Sequence, residues 1–207
     1  IYYGFNYGGE NDRGGWDSWV VASEQRRAAG VPNAQYGFGT ELFKYFVFSD
    51  PEWDYTEYDF STWAEDTAPT ASVLNATSTD LSAFRDRDGK IIYWTGWSDL
   101  ALTPLGTIDY YEQLKAGDPT ARDYARLYML PGVLHCAGGP GPDRVDWVGA
   151  IRAWVEDGQA PERLVALKLN ALGTPTISRP VCPYPQVAKY DGAGDVNDEQ
   201  SFRCVAP

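Results

Sequence analysis

The stretch Met129-Leu130-Pro131-Gly132-Val133-Leu134-His135-Cys136-Ala137-Gly138-Gly139-Pro140-Gly141-Pro142 constrains this chain more than any other. It holds the only histidine and the only cysteine outside the C-terminal tail. Pro and Gly at this density exclude helix and strand from the residues after His135. The run before it, Ala125 to Leu130, is short, apolar and partly alternating, which is the pattern of a buried strand ended by Pro131-Gly132. Regular patterning resumes at Asp143. The lone histidine therefore sits on a loop between a strand end and a helix. A histidine so placed is more often structural than catalytic, so its meaning depends on a partner elsewhere in the chain.

Lys90 to Trp94 reads as a second buried strand, followed by Thr95-Gly96-Trp97-Ser98-Asp99. Asp99 is a carboxylate at the C-terminal end of a strand, where open α/β sheets keep their sites. A strand, a loop with a lone histidine and then a helix is the shape of the last unit of an α/β hydrolase, in which that histidine is the general base and the triad acid precedes it in the chain. Asp99 and His135 follow that order. Between them, Ile108, Tyr111 and Leu114 predict a helix over Thr107 to Lys115, stopped by Gly117 and Pro119. After the histidine loop, Asp143 opens a second predicted helix with Val145, Val148, Ile151 and Val155 on one stripe, ending at Gly158. Leu164 to Lys168 completes a β-α-β-α-β order, read as the end of a mostly parallel sheet.

Gly96-Trp97-Ser98-Asp99 with Pro104 and Gly106 to Tyr111, then Leu130-Pro131-Gly132 with His135-Cys136 and Gly138 to Pro142, resemble the tannase and feruloyl esterase family. The likeness continues through Ala153 to Arg163 and reaches Arg179-Pro180-Val181-Cys182-Pro183-Tyr184-Pro185, so it covers roughly the whole chain. The resemblance implies a serine esterase of α/β class with a large lid inserted in its hydrolase domain. The family's enzymes are far longer than 207 residues, and the chain begins at Ile1 without a methionine or signal peptide. It is therefore expected to be a C-terminal piece, with residues 1–76 the end of the lid and residues 77–207 the end of the catalytic domain.

By this resemblance Asp99 and His135 are the catalytic acid and base, and the nucleophilic serine lies on an upstream segment of the same enzyme. Gly96-Trp97-Ser98-Asp99-Leu100 nearly matches the G-x-S-x-G elbow. Leu100 stands where the tight turn needs a small residue, and Ser98 would adjoin its own triad acid, so Ser98 is set aside. Ala101 and Leu102, just after the acid, are candidates for touching substrate, and Trp16 and Trp19 are candidates for lining the acyl pocket from the lid. No redox cofactor or catalytic metal is expected in this chain, and the calcium ion often bound by the family's lid is expected upstream of Ile1. In the family the cysteine after the catalytic histidine pairs with one beside the serine. Cys136 has no upstream cysteine here, so its partner is expected in that upstream fragment. Cys182 and Cys204 bracket a Pro- and Gly-rich tail, and a bridge between them is preferred to two free thiols. Feruloyl-type esters of aromatic acids are the expected substrates. Tannase or terephthalate monoester hydrolase activity is the alternative within the class, and a non-catalytic binding or structural subunit the alternative outside it.

A net charge of -12 argues against nucleic acid and anionic membrane surfaces as partners. No apolar run is long enough to span a membrane, and the expected location is secreted or periplasmic. Gly8 to Gly15 is glycine-rich but lacks the lysine and spacing of a phosphate loop, so it reads as a surface loop. Asp86-Arg87-Asp88-Gly89 and the group Asp191, Asp195, Asn197 and Asp198 suggest calcium loops but read better as turns. Phe43 to Phe48 fits either helix or strand. Asn75-Ala76-Thr77 is an N-glycosylation sequon, usable in a eukaryotic host.

Overall fold

A computed structural model of the chain describes residues 3–207. It divides into two compact units, one of Trp16–Ser78 and the other of Thr79–Pro207 together with the described residues up to Gly15. The smaller unit ends at Ser78. The glycine-rich segment before Trp16, by contrast, clusters with the larger unit.

The smaller unit is helical. It contains α1 (Trp16–Trp19), α2 (Glu24–Ala28), α3 (Ala34–Leu42) and α4 (Trp63–Leu74). Ser23 and Asn33 begin α2 and α3 by accepting hydrogen bonds from the amides of Arg26 and Tyr36, which satisfies otherwise orphaned donors of the first turn. The segment that fitted helix or strand is a π-helical turn, Phe43–Val47, continuing α3. Phe43, Phe48, Trp53 and Tyr58 pack ring on ring with centroids 5.0–6.1 Å apart. Among this unit's residues only Ala22 is buried, so its aromatic packing encloses no deep core.

The larger unit is built on two parallel strands. After a short helix α5 (Ser82–Arg85) come β1 (Ile91–Gly96), α6 (Pro104–Gly117) and β2 (Ala125–Leu130). Pairing runs in register from Ile91 opposite Ala125 to Gly96 opposite Leu130, so both strands end at one level. The helix begins earlier than its apolar spacing predicts. Pro104 occupies its first turn, where its missing N–H costs nothing. Tyr111 and Leu114 of α6 pack with Tyr124, just before β2, and with Ala125 and Leu127 on one face of that strand. Tyr128 and Leu130 point to the opposite face, where they join Val133, Ala166 and Val181. Coverage of both faces explains why this strand reads as a continuous apolar run. Its one charge, Arg126, is buried with its guanidinium on Glu162 at 2.9 Å and over the Trp154 ring at 5.0 Å.

Beyond the histidine loop the structure departs from the predicted order. Arg144–Val145 forms a short strand β3, and helix α7 (Trp147–Asp157) opens only afterwards, capped by Asp146 on the Gly149 amide. The predicted stripe is not the buried one, because Val145 is committed to β3 while Val148 and Val155 are 76% and 58% exposed. Trp154 is the side chain α7 buries. β4 (Leu164–Leu169) does not extend the parallel sheet. It is the centre of a three-stranded antiparallel sheet between β3 and β5 (Pro175–Val181). A short apolar run encodes burial but not strand direction, which is why the parallel expectation fails here. The tail closes as an antiparallel pair, β6 (Val187–Tyr190) with β7 (Phe202–Val205), and the Tyr184 amide donates to the Leu127 carbonyl along the edge of β2.

Burial pushes the phenols of Tyr111 and Tyr128 above their ordinary value. Tyr124 is held at about 12 by burial and by its hydrogen bond to Asp118. Each raised phenol contributes stability that is complete below the unfolded value of about 10 and is lost as pH rises through the folded value. Urea midpoints are therefore expected to be level from about pH 8 to 9.5 and to fall above about pH 10. Tyr128→Phe, which leaves the Pro161 carbonyl without its hydroxyl donor, is expected to cost about 1–2 kcal/mol at neutral pH and to flatten that fall. A midpoint unchanged above pH 10 would refute this assignment.

Candidate active site

The loops that leave β1 and β2 are stitched together before they reach their polar residues. The Trp97 amide donates to the Leu130 carbonyl at 2.9 Å and the Ser98 amide to the Val133 carbonyl at 3.1 Å. The approach is closest at Gly96, where an added Cβ would stand 2.1 Å from the Val133 oxygen and 2.9 Å from the Leu134 oxygen. No side chain fits there, so glycine at the end of β1 is a condition of the two loops lying side by side. Asp99 and His135 follow three and five residues beyond the paired strand ends.

Asp99 is buried, with 5% of its surface exposed. Its Oδ1 accepts hydrogen bonds from the amides of Ala101 at 2.8 Å and Leu102 at 2.9 Å, and its Oδ2 lies 3.0 Å from His135 Nδ1. Every bond is one a carboxylate can accept, as a buried acid group requires. The geometry assigns the proton to Nδ1, which donates to Asp99, and so fixes the imidazole tautomer. The His135 side chain remains 30% exposed. The carboxylate is thus enclosed while the imidazole reaches the surface.

The histidine loop is anchored on both sides. Val133 and Leu134 are buried beneath it. The Leu134 amide donates to the Gly138 carbonyl at 3.3 Å, and the Gly138 amide to Asp143 Oδ2 at 2.8 Å. Lys168 Nζ donates to the Gly139 carbonyl at 2.7 Å and pairs with Asp143 Oδ1 at 3.6 Å. Hydrogen bonds from Asp143 and Lys168 thus hold the loop where no regular element does.

The other candidates fall as follows. Ala101 and Leu102 meet Asp99 through their amides, a role the sequence reading did not assign, while the Leu102 side chain is 65% exposed. Trp16 and Trp19 belong to the smaller unit, where Trp19 stacks on Phe38 with centroids 6.0 Å apart. Ser98 is buried, and its amide holds the two loops together. Cys182 and Cys204 are bonded to each other across 22 residue steps, worth roughly 3 kcal/mol in the chain-entropy account. Cys136 is a free, exposed thiol. The acidic clusters are turns and ion pairs. Asp195 and Asp198 accept from the amides of Asn197 and Gln200, Asp191 pairs with Arg203, and Asp86 with Arg85. Among the described residues no group of three or more His, Cys, Asp or Glu side chains could hold a metal ion. The sequence reading missed Gly8 and Gly9, which pack on Ser98 and Leu134. Paired glycines were the signal, and they were read as surface.

Comparison with known proteins shows the family. The family model for tannase and feruloyl esterase matches residues 1–205. The chain is 40% identical over 211 residues to mono(2-hydroxyethyl) terephthalate hydrolase of Piscinibacter sakaiensis, covering 93% of this chain and 35% of that protein. It is 31% identical to a probable feruloyl esterase of Arthroderma benhamiae, covering 91% of this chain and 37% of that protein. Among solved structures, feruloyl esterase B from Aspergillus oryzae superposes with a TM-score of 0.73 at 26% identity, over 86% of this chain and 38% of that one. The chain thus spans less than half the length of these relatives. Within that span it has the mixed helix and strand fold of these α/β-hydrolase-type proteins, and it belongs to the tannase and feruloyl esterase family.

Proposed function

We propose that this chain supplies the acid and base of a serine esterase that hydrolyses carboxylic esters of aromatic acids, with the nucleophilic serine carried by a segment outside these residues. The observation that carries the proposal is the buried Asp99 carboxylate, held by two amides and facing His135 Nδ1 at 3.0 Å. Asp99 holds the imidazole in one tautomer and favours the imidazolium that forms on attack. His135 Nε2 takes the serine proton as the oxygen adds to the ester carbonyl, then gives it to the departing alcohol as the tetrahedral intermediate collapses. Water enters by the same exchange and releases the acid from the acyl-serine.

Three observations support a serine from elsewhere. Ser98, the one serine in an elbow-like context, is buried and adjoins Asp99. β1 is a strand of a parallel sheet with β2 as its sole partner among the described residues, and parallel sheets are seldom two strands wide. The relatives extend far beyond the matched span. Feruloyl-type esters are the substrate class proposed, from the names of the relatives. The 40% identity with mono(2-hydroxyethyl) terephthalate hydrolase favours a second reading, a terephthalate monoester. Both substrates present an aromatic acyl group to the same acid and base. The tail disulfide suits an oxidising compartment, and we place the protein outside the cytoplasm on that account.

In the intact protein Asp99→Asn is expected to leave folding near normal and to lower kcat on methyl ferulate or mono(2-hydroxyethyl) terephthalate by roughly 10³ to 10⁴. Retention of more than about a tenth of wild-type turnover would show that Asp99 is not the acid. Hydrolysis of neither ester by the wild type would favour a binding or structural role. Cys136, exposed beside the base, is proposed to bond a cysteine next to that serine, tying base to nucleophile. Non-reducing peptide mapping of the intact protein is expected to find it in a disulfide, and its recovery as an alkylated thiol would contradict the link.

A further inference from the structure

Described residues ahead of Trp16 lie against both loops that the proposed chemistry uses. Asn6 Nδ2 reaches the Trp97 carbonyl at 3.5 Å. The chain then folds into a tight turn. The Gly8 amide donates to Glu10 Oε1 at 2.8 Å, the Asp12 amide to the Gly9 carbonyl at 3.1 Å, and the Gly15 amide to the Asp12 carbonyl at 2.9 Å. Gly15 is buried inside this turn, where an added Cβ would stand 2.4 Å from the Gly9 oxygen. These bonds give the turn a fixed shape. Its contact point is Gly9, at φ +77°, where a Cβ would lie 3.2 Å from Leu134 Cδ2 and also 3.2 Å from Ser98 Cβ. Leu134 immediately precedes His135, and Ser98 immediately precedes Asp99.

We propose that Gly9 is a positioning residue for the Asp99–His135 pair, the tip of a rigid turn whose fit against Ser98 and Leu134 sets the spacing of the acid and base loops. The inference rests on the esterase reading above. The hydrogen bond from Ser98 to Val133 ties the loops together, and the turn packs against the residue beside each catalytic group. A methyl group at Gly9 meets both neighbours closer than ordinary van der Waals contact. One of the two loops must then yield, and displacements near 1 Å at a reacting centre can cost on the order of a hundredfold in rate.

The test uses the intact enzyme. Gly9→Ala is compared with Gly4→Ala, since Gly4 has a similar φ of +81° but nothing within 4 Å of an added Cβ. The control carries the backbone strain without the contact. Burst titration with an activated ester counts competent sites, so misfolded protein does not count as slow protein. Gly9→Ala is expected to lower kcat per titrated site about tenfold to a hundredfold with KM within about threefold, and Gly4→Ala to stay within about twofold of wild type. In an Asp99→Asn background Gly9→Ala is expected to add no more than about threefold, because groups acting through one device do not multiply. Leu134→Val, which withdraws the atom Gly9 rests on, provides a second approach if Gly9→Ala fails to fold, with several-fold loss of kcat expected and the same lack of additivity. Equal losses in Gly9→Ala and Gly4→Ala, or a full multiplicative loss in the Asp99→Asn background, would overturn the inference while leaving the esterase reading intact. A wild-type protein that hydrolyses neither ester overturns both.

Discussion

The in-register parallel pairing of Ile91–Gly96 with Ala125–Leu130 is the constraint on which the rest of the larger unit depends. Equal strand ends bring two loops out at the same height, and the carbonyls of Leu130 and Val133 accept the amides of Trp97 and Ser98 to keep them adjacent. A slip of one residue would turn every side chain of β2 to its opposite face, exchanging the Leu127 cluster for the Tyr128 cluster. The register is therefore fixed by two packed faces rather than by the loops it serves. Chemistry at the strand ends inherits its geometry from a core several residues away.

Two charged groups of this unit are buried with different kinds of partner. Arg126 is buried on β2, with its guanidinium over the Trp154 ring and paired to the exposed Glu162 carboxylate. Asp99 is as deeply buried, yet its partners are two amides of its own turn and one imidazole that reaches solvent. Backbone amides cannot move away without unfolding the turn, so in the proposed esterase they would hold the carboxylate at no reorganisation cost as charge develops on the imidazole.

The two strands, and the places of Asp99 and His135 just beyond their ends, were legible because each depends on local signals. Apolar runs ended by Pro131-Gly132 and by Gly96 mark strands, and a carboxylate or histidine just past such an end is placed by the strand itself. The antiparallel sheet was not legible, since Leu164 to Lys168 carries the same apolar pattern whichever way its neighbour runs. The buried face of α7 was missed because a valine stripe at helical spacing outweighed Trp154, whose bulk fills the space instead. The packing of the Gly8 to Gly15 turn was also hidden. Glycines at positive φ announce a turn, but what the turn rests against is set by Ser98 and Leu134, far along the chain.

The central claim is that His135, held by Asp99, activates a serine from outside this chain. Labelling of the intact protein with an organophosphonate, followed by peptide mapping and by rate measurement in wild type and His135→Gln, tests it most directly. The account predicts a phosphonylated serine outside these 207 residues and labelling slowed on the order of a thousandfold by the substitution. A label on Ser98, or a His135→Gln variant that reacts at the wild-type rate, would contradict it.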